Sequence, residues 1–523
     1  MSIPSESAVE EGGGQEREEH ERNHEAAHHP PAPSDELFDI STTVDPSYII
    51  SLIRKLVPVD GKTGNKSSEV DACDASTEGS KSDGREHSAV LLSQNGVMDN
   101  HDNGIEAMDT VELTGHDGGD YESDKKMSAL MGEDVWEEYG CILWDLAANK
   151  THAEFMVQNL VLEVLLANLM VPPSVRIMEI ILGILGNLVC HEASCRQIPA
   201  TGGLIEVIVD QLFLDDTPCL CEAFRVLTLG LQGSECVTWA EALRSENILS
   251  RILWVAENAL NPQLIEKSVG LLLAILESEQ VVAGMLPSLM QLGLPGLLIN
   301  LLTFEMSKFA GERVPERYCV LDIILRTIEA LSVTDDYSQE VSSNRELFRL
   351  LVDLVKTPDK IEVANSCVTA AILIANILTD AADMALDISQ DLSFLQVLFD
   401  IFPFASDDIE AKSALWSIIN QLLIQLKESQ MSLSTLYQHV LVFVSKSELI
   451  EDELLDHQLG SCNAGAKLRR KATAVREIIG MLSQWIALKD SNKESNFMMD
   501  NHLDDGTVDR LLECCHKYIL LME

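Results

Sequence analysis

Three groups of residues in this chain have the types and spacing that reactive or metal-binding sites use. His191 and Glu192, followed by Cys195, set an imidazole and a carboxylate close to a thiol, the raw material of a nucleophilic pair. Cys190, Cys195, Cys219 and Cys221 form a thiol cluster in sequence, and so do Cys514 and Cys515 with His516. His20, His24, His28 and His29 form an imidazole run. None reproduces a tetrahedral zinc pattern. The thiols lack two pairs with the right inner loop, adjacent residues on a helix point to different faces, and the histidines have no partner set. The chain also has no phosphate-cradling glycine loop after a strand, no nucleophile elbow and no metalloprotease helix. The expectation is therefore no enzyme, no cofactor and no metal, with His191 serving a helix end and the cysteines serving as reduced core thiols.

A fourth constellation suits binding. Trp416-Ser417-Ile418-Ile419-Asn420 places an indole and an amide at i and i+4, on one helix face. An asparagine there offers a donor and an acceptor to the backbone of an extended peptide, and the tryptophan an apolar wall. Asn187 and Asn376 hold comparable places on their own helices, although Gly183 and Ile372 stand where the tryptophan would be. Asn187, Asn376, Trp416 and Asn420 are thus the candidate peptide groove. The alternative is a core Trp416 with asparagines bonded to neighbouring backbone.

The elements that carry these residues are helices. Hydrophobic residues make up 46% of the 523, but aromatics only 5%, so the core is built from aliphatic side chains and alanine. From about Trp136 onward apolar residues follow a helical period with no convincing alternating strand. Breakers recur before each long apolar helix at Pro173, Pro218, Pro262, Pro315 and Pro358, and the Asp407-Asp408 pair takes the corresponding place after them. Subtraction of positions gives intervals of 45, 44, 53, 43 and 49 residues. A proline in the first helical turn is harmless there and stops the preceding helix, so it makes a corner. Corners at this interval are the armadillo or HEAT spacing, in which units stack because none can bury its apolar face alone. The predicted helices are Val175–Cys190, Cys219–Leu231, Gln263–Leu276, Arg317–Leu331, Glu362–Leu378 and Ile409–Leu426. A pair at Ala464–Leu488 and Val508–Leu521 closes the end.

Ahead of the array the chain is rich in Glu, Asp, Ser, Gly and His, a composition that cannot offset ordering entropy. The expected organisation is a disordered acidic leader over 1–44, an isolated amphipathic helix over 45–58, a disordered linker over 59–126 and an armadillo-like repeat domain over 127–523. The short helix shows an apolar face of Tyr48, Ile49, Ile50, Leu52, Ile53, Leu56 and Val57, opened by Asp45-Pro46 and closed by Pro58. The fold class is all-α, an armadillo/HEAT-like right-handed α-solenoid.

The formal charge of -47 disfavours nucleic acid and anionic membrane, and attracts partners with basic segments. No secretory signal opens the chain, and the apolar runs 182–189 and 294–302 are too short to span a bilayer. Lys467-Leu468-Arg469-Arg470-Lys471 reads either as a nuclear-import signal or as the solvated start of a helix.

The segments Cys141–Leu166, Arg176–Glu192 and Leu212–Leu229, with the leader stretch Ser41–Pro58, resemble those of the serum-amyloid-A-like proteins. The resemblance implies a non-enzymatic armadillo-like protein, nuclear or cytoplasmic, linked to growth control. The function expected is a protein–protein scaffold or adaptor that binds partner segments on the solenoid. The alternatives are a co-chaperone or regulatory subunit gripping a folded domain, and an import-receptor-like binder of basic peptides.

Overall fold

The computed structural model describes residues 44–58, 120–171, 174–311, 314–334, 337–358, 360–406, 408–428, 431–455, 465–491 and 503–522. The acidic leader, the linker up to residue 119, the histidine run and Pro173 lie outside them. The described residues from Pro46 onward form one compact unit.

Among the described residues every regular element is helical. After α1 (Pro46–Lys55) come α2 (Asp120–Ala147), α3 (Lys150–Gln158) and α4 (Val161–Met170). The next units are α5 (Val175–Val189) with α6 (Leu204–Asp210), then α7 (Thr217–Gln232), α8 (Cys236–Leu243) and α9 (Glu246–Asn258). They are followed by α10 (Pro262–Glu277), α11 (Glu279–Gln291) and α12 (Leu294–Gly311), then by α13 (Glu316–Ser332) with α14 (Arg345–Val355) and α15 (Ala364–Asp380) with α16 (Leu392–Ile401). The chain ends on α17 (Ile409–Glu428), α18 (Leu433–Ser445), α19 (Ser447–Leu455), α20 (Gly465–Ser491) and α21 (Asp505–Met522). α2 starts at Asp120, inside the stretch whose composition suggested linker.

Three of the corners read from the sequence carry side-chain helix caps, while Pro315 opens its helix without one. Asp216 Oδ1 accepts from the Cys219 amide at 3.0 Å with Pro218 in the first turn, and Asn261 Oδ1 accepts from the Leu264 amide at 3.2 Å with Pro262 opening its helix. Asp408 Oδ1 takes the amides of Glu410 and Ala411 at 2.8 and 3.0 Å. Each side chain satisfies donors that the first turn leaves open. Pro358 differs: a turn follows it, and its helix starts at Ala364 rather than Glu362.

Two rows result. The long helices α2, α5, α7, α10, α13, α15, α17 and α20 each pack on the next, and α4, α6, α9, α12, α14, α16 and α18 form a second row along one side of them. α10 buries Leu264, Ile265, Leu271, Leu272 and Ile275 between its neighbours. Each such side chain gains roughly 1.5–3 kcal/mol on leaving water, so no unit keeps its fold without the next one. This is an armadillo-type solenoid.

The one long interval, from Pro262 to Pro315, is taken up by the extended helix α12. Its far end is pinned by an ion pair: Arg317 Nη1 lies 2.6 Å from Glu305 Oε1, with Glu305 only 2% exposed. A cavity of about 10 Å³ adjoins the pair, lined by Glu305, Phe309, Val314, Arg317, Tyr318 and Leu321. Glu305→Ala leaves the guanidinium half-buried without its counter-charge, and breaking such pairs costs about 3–5 kcal/mol. Urea denaturation of the variant should show a loss of that size.

The helix that the sequence sets apart, α1, lies on the array. Ile49, Leu52, Ile53 and Leu56 are buried against α2 and α3. The Leu56 carbonyl, one of the orphans at a helix end, accepts from Asn168 Nδ2 at 2.8 Å and from Trp136 Nε1 at 3.4 Å. The Lys55 ammonium stands 3.8 Å from the centre of the Tyr139 ring.

Candidate functional site

The long-helix row buries one side against the second row and turns the other to solvent, so its half-exposed residues define the surface a partner segment can meet. Near the N-terminal end this surface is shaped by glycine. Any Cβ at Gly183 would run into the Trp144 ring, and any Cβ at Gly186 into the Arg225 guanidinium. Side chains from α2 and α7 therefore lie across α5. Asn187 ties them together: its Nδ2 donates to the Trp144 carbonyl at 2.9 Å, and its Oδ1 accepts from Arg225 Nη1 at 3.2 Å. Arg225 also donates to the Gly183 carbonyl at 3.0 Å and to Glu222 at 2.8 Å. The tryptophan that the sequence lacks at position 183 is supplied by the preceding helix.

The other three candidate residues sit on adjacent helices α15 and α17, several helices away from Asn187. Asn376 is half-buried and its Nδ2 donates to Ser332 Oγ at 3.2 Å, one helix back. Trp416 is 1% exposed, packed edge-on to Phe399 with centroids 6.5 Å apart and against Phe402 at 5.4 Å. It is a core residue, so it cannot wall a groove. Asn420 is 8% exposed, and its buried Oδ1 has no hydrogen-bond partner among the described residues. The structure thus favours the core alternative for Trp416 and the backbone-bonded one for the Asn187 donor, while Asn376 bonds a neighbouring hydroxyl and the buried Asn420 Oδ1 stays unpaired among the described residues. Trp416→Ala should cost about 3–5 kcal/mol in a denaturant titration, the range for emptying a large buried aromatic site; a groove-wall role alone would leave stability nearly unchanged.

Two carboxylates that sequence patterning does not single out stand out on α13. Asp322 and Glu329 flank Arg326 at i, i+4 and i+7, a polar stripe on an otherwise apolar helix. Arg326 is drawn towards Glu277 on α10, its Nη2 lying 3.4 Å from Oε1. Among the described residues neither Asp322 nor Glu329 has a side-chain hydrogen bond or ion pair. Burial pushes both carboxyls above the usual carboxylate range. For Glu329 repulsion from Glu410, then from Asp408 and Asp322, adds to that rise against the pull of Arg326. A carboxyl whose pKa folding raises keeps its proton longer in the native state than in the unfolded one. It therefore favours the native state most at low pH, and that contribution is lost as pH rises through the raised value. Asp322→Asn with Glu329→Gln should be more stable than the parent at pH 7, and the difference should vanish below about pH 4, the unperturbed carboxylate range. Urea midpoints across pH 3.5–8 check this.

The reactive constellation of the sequence dissolves in the fold. His191 Nε2 lies 3.1 Å from the Ala147 carbonyl. The Cys195 thiol is pushed up, by burial first and then by Glu235, opposite to what a nucleophile needs. Burial likewise drives Cys219 and Cys515 to about 12 and Cys367 to about 11. Among the described residues no group of three His, Cys, Asp or Glu side chains could hold a metal ion, and no single helix is long and apolar enough to cross a membrane. Lys471, the end of the basic stretch, is 9% exposed. Its ammonium donates to the Glu453 carbonyl at 2.6 Å and lies 5.4 Å from the centres of both the Trp416 and Tyr518 rings. In the folded chain Lys471 is part of the C-terminal packing, unlike a residue of an extended signal.

Two rows of helices, capped corners and a surface without a catalytic constellation among the described residues define an armadillo-type helical repeat protein. Within that class the chain is related to the serum-amyloid-A-like proteins. It is 26% identical to Protein saal1 of Danio rerio over 220 residues, 40% of this chain and 46% of that protein. It is 26% identical to Protein SAAL1 of Homo sapiens over 146 residues, 28% and 31% of the two chains. The matches thus span less than half the length of these relatives. No family model matches the chain. Among solved structures, an engineered protein is similar with 15% identity and a TM-score of 0.47 over 77% of this chain and 92% of its own. Computationally designed armadillo repeat proteins for modular peptide recognition align with 14% identity and a TM-score of 0.37, over 45% and 92%.

Proposed function

We propose that this chain is a non-enzymatic protein-binding solenoid that receives an extended, basic segment of a partner on the open face of α13, α15 and α17. The observation that carries the reading is a deficit of one sign. Asp322 and Glu329 are both half-buried acceptors without a donor among the described residues. A guanidinium or ammonium group from a partner supplies what they lack, and desolvated charge-assisted hydrogen bonds are the strong ones. Arginine suits the site best, since its planar fork presents several donors and stays charged. The net charge of -47 steers such a partner in and makes its on-rate fall with salt.

The test is fluorescence anisotropy with two labelled peptides, one alternating Arg and Ser and one alternating Glu and Ser. The basic peptide should bind and the acidic one should not. The Asp322→Asn, Glu329→Gln chain should lose about tenfold in affinity, equivalent to ~1.4 kcal/mol. Equal affinity for parent and variant would remove the reading.

A second reading, in which a lateral edge grips a folded domain, draws on exposed apolar side chains at the second row. Phe213 is 44% exposed, Trp254 51% and Leu260 84%. Under that reading Trp254→Ala, and not the carboxylate variant, would release the partner.

A further inference from the structure

We infer that the first repeat is a built receptor for a short amphipathic helix, and that α1 is its exchangeable resident rather than an integral helix of the array. Three observations point this way. First, α1 is a ten-residue helix, and a helix of that length does not persist in water without a surface to lie on. Residues 59 to 119 stand between it and α2, whereas the other helices of the array follow their neighbours through short connections. Second, its contacts are confined to one place. Ile49, Leu52, Ile53 and Leu56 bury one face against α2 and α3, while Tyr48 and Val57 remain 44% and 49% exposed. This is helix-in-groove recognition, read through anchors at i, i+3, i+4 and i+7.

Third, the receptor reads where the helix ends. Helix C-termini leave carbonyls without partners; following amides serve those of Ile53 and Arg54, and the array supplies the donors for the Leu56 carbonyl. Asn168 on α4 is 9% exposed and divides its Nδ2 between the Leu56 carbonyl and its own Val164 carbonyl, both at 2.8 Å. Trp136 on α2 donates to the same Leu56 oxygen at 3.4 Å, and its ring also packs over Gly140, where a Cβ would lie 2.8 Å from it. Tyr139 on α2 receives the Lys55 ammonium on its face at 3.8 Å. The three side chains select an apolar helix that ends in a basic residue, as Arg54-Lys55-Leu56 does. A receptor with end-specific donors and an occupant joined only through a long stretch of chain is what an internal ligand requires: it can leave without unravelling the array, and it returns to one register.

The test uses the full chain throughout, with a labelled peptide of residues 44–58 as probe. Leu52→Asp places a charge at the most buried position of α1, and circular dichroism and a thermal melt establish that the array is retained. The peptide should bind the Leu52→Asp chain at least tenfold more tightly than the wild type, whose own α1 occupies the receptor. Adding Asn168→Leu to that chain should weaken the peptide about tenfold. Equal binding to wild type and variant, or none to a folded Leu52→Asp chain, overturns the inference. So that it stands or falls even if the variant misfolds, hydrogen exchange of the wild type is measured as well. The amides of α1 should exchange as a group at least tenfold faster than those of α5, and exchange at the α5 rate overturns it. None of these outcomes depends on the carboxylates of α13, so failure here leaves the reading of that face untouched.

Discussion

Side-by-side burial along the row of long helices is the interaction on which everything else depends. An α10 that hides its aliphatic side chains between its neighbours has no stable existence by itself, and the same holds for each helix in the row. The caps matter because they keep that row in register. Asp216, Asn261 and Asp408 fix the first turn of α7, α10 and α17, and so fix which residues of each helix meet the next. The ion pair of Glu305 and Arg317 serves the same end where one unit is longer than the rest.

Much of this was legible in the sequence because it depends on local chemistry. A proline in a first turn and an aspartate or asparagine before an apolar run act within a few residues, and their recurrence marks the units without any knowledge of contacts. The predicted helices end close to the observed ones, whereas the first turns of α2 carry a composition indistinguishable from linker. The site was less legible because it depends on what neighbouring helices send across. Gly183 looks like a missing tryptophan in sequence, yet in the fold Trp144 lies over it. Trp416 and Asn420 share one helix face, but that spacing cannot distinguish a face turned to solvent from one packed on Phe399 and Phe402. Asp322 and Glu329 escape notice since a polar stripe on a helix usually means a solvated surface. Only the fold shows that theirs is half-buried and, with Arg326 drawn towards Glu277, without an ion pair among the described residues.

The two ends of the array solve one problem in different ways. A row of stacked helices leaves an uncovered apolar face at each end. At the C-terminal end α20 and α21 close it covalently in sequence, with the Lys471 ammonium held between two rings as part of the seam. At the other end a short helix from far upstream lies over α2 and α3. A closed end tolerates no vacancy, whereas an end covered by a separate segment can be uncovered and covered again.

A glycine on α5 ties the histories of distant positions together. With Gly183 beneath a rigid indole from α2, a larger residue there is admissible only in a lineage where Trp144 has already shrunk, whereas the guanidinium over Gly186 is the end of a flexible side chain and can swing aside. Positions 144 and 183 should therefore vary as a pair among descendants of this sequence, whereas 186 and 225 need not. The first pair must pass through an intermediate with a gap between helices rather than one with a clash, since a cavity is survivable where overlap of this depth is not.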